Sequence, residues 1–110
     1  MKISDIMDLL GSVNGDLPIM NVGEEFFSYR GEGNQLSVEP DYIEGLTVRK
    51  FLLLLDENTN KSFKSRGSVF TMSKNTQLYM AYWGKLGDAV SGIQVTKKLG
   101  VVCVYLEIER

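Results

Sequence analysis

The sequence GIQVTKKLGVVCVYLEIE at residues 92–109 predicts a β-hairpin. Its two arms, residues 92–96 and 101–109, are rich in β-branched and aromatic side chains, which favour strands. Between them, residues 97–100 read KKLG and contain the glycine typical of a tight turn. Because side chains alternate along a strand, the second arm has one face that is apolar throughout, at Val102, Val104, Leu106 and Ile108.

Other elements are predicted upstream of this hairpin. Apolar residues at helical spacing indicate a helix over residues 3–10, and a second helix begins after a Thr47 cap and extends through Leu55. Residues 83–88 contain two glycines and are predicted to form a loop. The remaining strands are predicted at residues 17–22, 25–29, 35–39, 68–72 and 77–83.

Short turns between neighbouring strands imply antiparallel pairing. The sequence therefore predicts an α+β fold, with a mostly antiparallel sheet and two helices packed on one face. The length of 110 residues fits one domain, spanning residues 1–110.

Composition argues against several classes of function. The formal net charge of −2 is unfavourable for a general nucleic-acid binder, which needs a basic surface to neutralise phosphates. The chain has no histidine, so it lacks the usual general base and the usual zinc ligand. The single cysteine, Cys103, lies in an apolar run and is expected to be a buried, unreactive thiol. We therefore predict no catalytic residues, no metal site, no cofactor and no enzymatic activity.

Two kinds of enzymatic chemistry remain as alternatives. Paired carboxylates would be defined by their separation in space, which the sequence does not give. Serine–lysine chemistry around Lys64 is also formally possible, although adjacent residues such as Lys64 and Ser65 usually point apart.

We expect a cytoplasmic protein that does not bind membranes. The longest apolar run, residues 51–55, is far shorter than the roughly 20 residues that span a bilayer. The first residues, MKISD, lack the apolar segment of a signal peptide.

One local pattern occurs twice and suggests an anion site. An arginine precedes a glycine at Arg30 and again at Arg66, each near a predicted strand end. Arginine presents a planar fork to carboxylate or phosphate, and a following glycine lets a ligand approach the backbone. With lysine and aromatic neighbours added, the candidate ligand-binding residues are Tyr29, Arg30, Lys64, Arg66 and Trp83. The alternative is that the arginines are solvated and the aromatic residues pack in the core.

Several segments, in order along the chain, resemble a family of small bacteriophage-encoded proteins of unassigned function. They are GDLPI at 15–19, SYRG at 28–31, LTVRKFL at 46–52, KSRGSVFTM at 64–72 and YWG at 82–84 followed by GI at 92–93. These are similar to the family segments "DLPV", "SYRG", "LTVxEFL", "GYKGGEFTM" and "YGxxG…GI". The resemblance implies a protein of the host cytoplasm that acts on a host system, by blocking an enzyme or sequestering a signalling nucleotide.

Two functional hypotheses follow. The first is a non-enzymatic binding protein, a phage accessory factor that inhibits a host or defence protein or sequesters a small anionic ligand. The second is a structural or assembly protein that acts through homo-oligomerisation, with exposed strand edges providing the contact.

Overall fold

The computed structural model describes residues 1–27, 35–59, 62–65, 68–71, 73–82 and 85–109; for residues 62–65, 68–71, 82, 85 and 86 the description covers the backbone. Neither helix in this part of the chain has the length and apolar character needed to cross a bilayer. The elements in chain order are α1 Ile3–Gly11, β1 Phe26–Phe27, β2 Gln35–Val38, α2 Val48–Asn58, β3 Ser62–Ser65, β4 Ser68–Thr71, β5 Gln77–Tyr82, β6 Lys85–Lys98 and β7 Val101–Ile108.

Five of these strands form one sheet in the order β1-β2-β5-β6-β7. The pairs β1–β2, β5–β6 and β6–β7 are antiparallel, and β2–β5 is parallel. The parallel pair is possible because α2, β3 and β4 lie between β2 and β5 and provide a long crossover. The prediction of an α+β fold with a mostly antiparallel sheet is confirmed, and the helices pack against this sheet.

The core lies between the helices and one face of the sheet. In α1 the apolar residues Ile3, Ile6 and Leu10 have no exposed surface. They recur at helical spacing, so one stripe of α1 faces the core. The Asp5 carboxylate accepts a hydrogen bond from the Lys2 N–H at 3.3 Å and so satisfies one of the free amides at the start of the helix.

Helix α2 begins as predicted. The Thr47 side chain accepts a hydrogen bond from the Lys50 N–H at 3.3 Å, which caps the first turn. Phe51 and Leu55 are fully buried one helical turn apart. The Phe51 ring stacks on that of Phe26 in β1, with 6.0 Å between ring centroids. This contact joins α2 to the edge of the sheet.

The predicted strand at residues 17–22 is wrong, because this segment makes only isolated bridges. Ile19 pairs with Val104 in β7, and Pro18 pairs with Thr47. Pro18 has no N–H to donate to a ladder, which limits pairing at its position. Asn21 continues the contact through its side chain: its Nδ2 donates to the Leu106 carbonyl at 2.9 Å, and its Oδ1 accepts from the Leu106 N–H at 3.0 Å. The segment thus covers part of the outer edge of β7.

Strand β6 is much longer than the predicted strand at 92–96. It includes residues 85–88, so the predicted loop at 83–88 is wrong there, while Trp83 and Gly84 are outside the described residues. Gly87 has a φ of +86°, and the register between β5 and β6 shifts between Met80 and Tyr82. At Gly87, therefore, glycine permits an irregularity within a strand, whereas the sequence pattern predicts a loop.

Strand β3 is not among the predicted strands. Its sequence, SFKS, has one aromatic residue among polar ones, which is a weak strand signal. It pairs with β4 in a separate two-stranded sheet.

The hairpin predicted at residues 92–109 is confirmed, with a shorter turn. Lys97 and Lys98 belong to β6, and Lys98 pairs with Val101. Leu99 and Gly100 form the turn, with φ values of 50° and 82°. Two consecutive positive φ values are typical of the tight turn that matches the twist of a hairpin. The turn therefore presents a leucine at the end of the longest strand pair.

Candidate binding cleft beside the β6–β7 turn

The residues predicted as an anion site are largely outside the described part of the chain. This applies to Tyr29, Arg30, Arg66 and Trp83, and for Lys64 the description covers only the backbone, which lies in β3. That Arg30 and Arg66 share one site therefore stays a prediction, as does the alternative of solvated arginines.

The end of the β6–β7 hairpin exposes several large apolar side chains. Leu99 is fully exposed, and Val101 and Val102 are 55% and 41% exposed. Single exposed apolar residues are ordinary on protein surfaces, but a group of them on one element often marks a binding surface.

Alternation along β7 divides these side chains between two faces. Val104 and Leu106 face the core, with 0% and 3% of their surface exposed, and Val102 lies on the same face beyond the core. Val101 and Cys103 therefore lie on the opposite face, away from the helices. Lys98 is paired with Val101 and shares this opposite face.

The segment before β1 forms the side of a cleft on this face. The Pro18 carbonyl accepts from the Val104 N–H, and the Met20 N–H donates to the Val104 carbonyl, both at 2.9 Å. Ile19, between them, is fully buried in the core. In an extended segment, the side chains of neighbouring residues point to opposite faces. Pro18 and Met20 therefore present their side chains on the other face, beside Cys103.

The resulting cleft has a volume of about 490 Å³. This volume lies within the range of about 300–1,000 Å³ that is typical of small-molecule sites. Tyr42, 56% exposed, contributes from the segment between β2 and α2. The residues that line the cleft are Pro18, Met20, Tyr42, Lys98, Leu99, Val101 and Cys103.

Among the described residues that line the cleft, Lys98 is the charged one. Its Nζ lies 4.9 Å from the centroid of the Tyr105 ring, a distance at which a cation is attracted to the ring face. The Tyr105 side chain also raises the pKa of Lys98, first through a hydrogen bond and then through charge. Among the described side chains the ion pair present is Arg49–Asp16, so Lys98 has no carboxylate partner there.

Cys103 is buried, with 2% of its surface exposed, as the sequence predicted. It is also one of the residues that line the cleft. It adds a small, polarisable surface to an otherwise hydrocarbon lining.

A second concavity, of about 290 Å³, lies along α2 and has a different character. Its apolar residues include Leu53, which is 59% exposed. The acidic residues Glu24, Glu44 and Glu57 line it as well, together with Lys50, whose Nζ donates to the Gly45 carbonyl at 3.2 Å. In the part of the chain described, no group of three or more acidic, cysteine or histidine side chains is arranged to hold a metal ion. We refer to this concavity as the acidic groove.

The cleft was not predicted, although one signal for it is present in the sequence. Leu99 is a large apolar residue in a two-residue turn, where polar residues or glycine are usual. The contributions of Pro18, Met20 and Tyr42 depend on pairing between distant segments, which local patterns do not show.

A scan against protein-family models, a search of curated proteins and a search of solved structures each find no significant match to this chain.

Proposed function

We propose that this protein is a non-catalytic binding protein and that its ligand occupies the apolar cleft beside the β6–β7 turn. The observation that supports this proposal is the lining of the cleft, in which six apolar or weakly polar residues accompany a single lysine. An apolar concavity with one polar group suits binding and orientation of a ligand. The described lining contains no histidine and no carboxylate, the side chains that most often transfer protons in enzymes.

The resemblance of the sequence to small bacteriophage proteins supports a host component as the source of this ligand. An accessory factor could then act by sequestering a host molecule or by masking an apolar group of a host protein.

Two adjacent substitutions on β7 provide a test of the cleft. Val101 lines it, whereas Val102 lies on the opposite face of the same strand, and both side chains are partly exposed. We expect the neutral probe 1-decanol to shift the backbone amide NMR signals of Met20, Val101 and Cys103. Val101→Asp is expected to weaken this binding by about tenfold or more, because it places a carboxylate in the apolar cleft.

Val102→Asp is the matched control, since it adds the same charge to the same strand outside the cleft. Its affinity for decanol should equal that of the wild type. Absence of decanol-induced shifts at the cleft residues, or equal losses in the two variants, would contradict the proposed site.

A second candidate function is assembly through self-association, and one specific observation favours it. The hairpin end is basic and apolar, with Lys97 and Lys98 beside the fully exposed Leu99. The acidic groove has the complementary character, with glutamates around apolar residues. We propose that, in this case, Leu99 of one copy enters the acidic groove of a second copy. Opposite charges at such a contact steer association and fix its orientation.

Sedimentation equilibrium of two variants tests this contact. Leu99→Asp removes the inserted side chain, and Leu53→Asp alters the groove that receives it. Each variant alone is expected to be monomeric, whereas an equimolar mixture should form one-to-one dimers, because one intact turn and one intact groove remain. Added salt should weaken the association. A wild-type protein that stays monomeric at all concentrations would exclude this function.

A further inference from the structure

We infer that the ligand of the cleft is an amphiphile with an apolar body and a single anionic head group, such as a medium-chain carboxylate. This inference rests on the proposed function and adds the chemical class of the ligand. The single charge in the described lining, the groups around that charge and the volume of the apolar part support it.

The described lining of the cleft carries one charge. Lys98 is in the last pair of the hairpin, and its Nζ lies over the ring of Tyr105, which pairs with Gln94 further from the turn. The other described lining residues are apolar or weakly polar. A lining with a single charged group suits a molecule that also carries a single charged group.

The sign of the charge selects the head group. The aromatic ring of Tyr105 lies beneath the Lys98 ammonium, and the described side chains supply it with no carboxylate. Lys97 adds a second positive charge from the neighbouring position, although it lies on the other face. An anionic head would compensate this local charge, whereas a cationic head would be repelled. The overall charge of −2 makes this basic end distinct from the protein as a whole.

The apolar part of the cleft governs the affinity. The cleft volume of about 490 Å³ is large enough for a flexible hydrocarbon chain, and Met20 and Leu99 provide adaptable apolar walls. Each added methylene that enters the cleft is expected to tighten binding by about fourfold. Binding should therefore strengthen steadily from hexanoate to decanoate.

Three ligands of equal chain length separate the head group from the hydrocarbon chain. Calorimetric titration should give the order decanoate, then 1-decanol, then decylammonium, all used below the concentrations at which they form micelles. Because Lys98 is solvent-exposed, we expect the advantage of decanoate over decanol to be modest, about threefold to fivefold. The advantage of decanoate over decylammonium should be larger, because the cationic head is repelled.

Substitution of Lys98 tests the role assigned to it. Lys98→Gln should remove the difference between decanoate and decanol, because the positive charge that favours the carboxylate is lost. Lys98→Arg should retain the preference for decanoate, because it keeps the positive charge. Comparison of these two variants controls for a general effect of substitution at this position of β6.

The outcomes distinguish this inference from the function on which it rests. Equal binding of all three ligands, or a preference for decanoate that persists in Lys98→Gln, would overturn the anionic head group while leaving an apolar binding cleft. If none of the ligands binds, including decanol, the proposed binding function itself is contradicted. An affinity that does not change with chain length would show that the hydrocarbon chain is not accommodated in the cleft.

Discussion

Alanine in place of Gly87 is expected to abolish the native fold or to lower the free energy of unfolding by more than about 4 kcal/mol. A Cβ at this position would lie 1.6 Å from the Met80 carbonyl oxygen and 2.6 Å from its carbonyl carbon. Both atoms belong to the backbone of β5, so no side-chain rotation relieves the overlap. The φ of +86° adds a conformational penalty that glycine does not have.

The disruption caused by Gly87→Ala should extend beyond one residue, because Gly87 lies where β6 pairs with the central strand of the sheet. Moving β6 away from Met80 would disturb the register that places Asp88 opposite Met80. Urea unfolding monitored by far-ultraviolet circular dichroism measures the loss, and the absence of a cooperative transition would be its extreme form.

Gly100→Ala is the matched control. Gly100 also has a positive φ, of +82°, but a Cβ there would meet nothing within 4 Å. The expected cost is about 1 kcal/mol, from backbone strain alone. Equal destabilisation of the two variants would contradict the close approach of β5 and β6 at Gly87.

The elements that could be predicted are those whose signal is local. The β6–β7 hairpin combines alternation in its second arm with a glycine-containing turn. Helix α2 combines the Thr47 cap with Phe51 and Leu55 on one face, and both features hold in the structure. In each case the residues that determine the element lie within a few positions of one another.

The elements that were mispredicted depend on distant partners. Residues 85–88 resemble a loop by composition, yet pairing with β5 extends β6 through them. The segment around Ile19 resembles a strand, yet Ile19 alone forms a bridge to β7, and Asn21 bonds through its side chain to the backbone of Leu106. Pairing energy between distant segments decided both cases over local preference.

The candidate binding cleft depends even more on contacts between distant segments, which the sequence does not show. Arginine–glycine pairs predict an anion site at Arg30 and Arg66, because charged residues beside turns form a recognisable local pattern. The cleft instead combines Met20, Tyr42 and Val101, which belong to three separate segments and are ordinary apolar residues in the sequence. Only folding gives them a shared surface, so no motif could have identified them.

Phe51→Ala is expected to lower the free energy of unfolding by about 3–5 kcal/mol. Phe51 is fully buried and is the largest side chain with no exposed surface in the described core. Its removal leaves a cavity between α2 and the sheet that neighbouring side chains fill only in part. Urea unfolding measures the loss, and Leu53→Ala is the control, since Leu53 is 59% exposed on the same helix and should cost less than about 1 kcal/mol.

Part of the stability lost in Phe51→Ala should come from the lost contact with Phe26. The two rings stack at 6.0 Å with 28° between their planes, and Phe26 lies in β1, which is only two residues long. A strand so short contributes few ladder hydrogen bonds, so the ring contact is expected to be a main support of this edge of the sheet. Phe26→Ala alone should therefore destabilise the protein, but less than Phe51→Ala, because Phe26 is only partly buried.

A double-mutant cycle measures the contact itself. The two substitutions together should cost less than the sum of their separate effects, with a coupling of about 0.5–1.5 kcal/mol, which is the range for aromatic pairs. Additive effects would mean that Phe51 stabilises the core without holding β1. In that case β1 would depend mainly on its pairing with β2, where Phe26 lies opposite Val38 and Phe27 opposite Ser37.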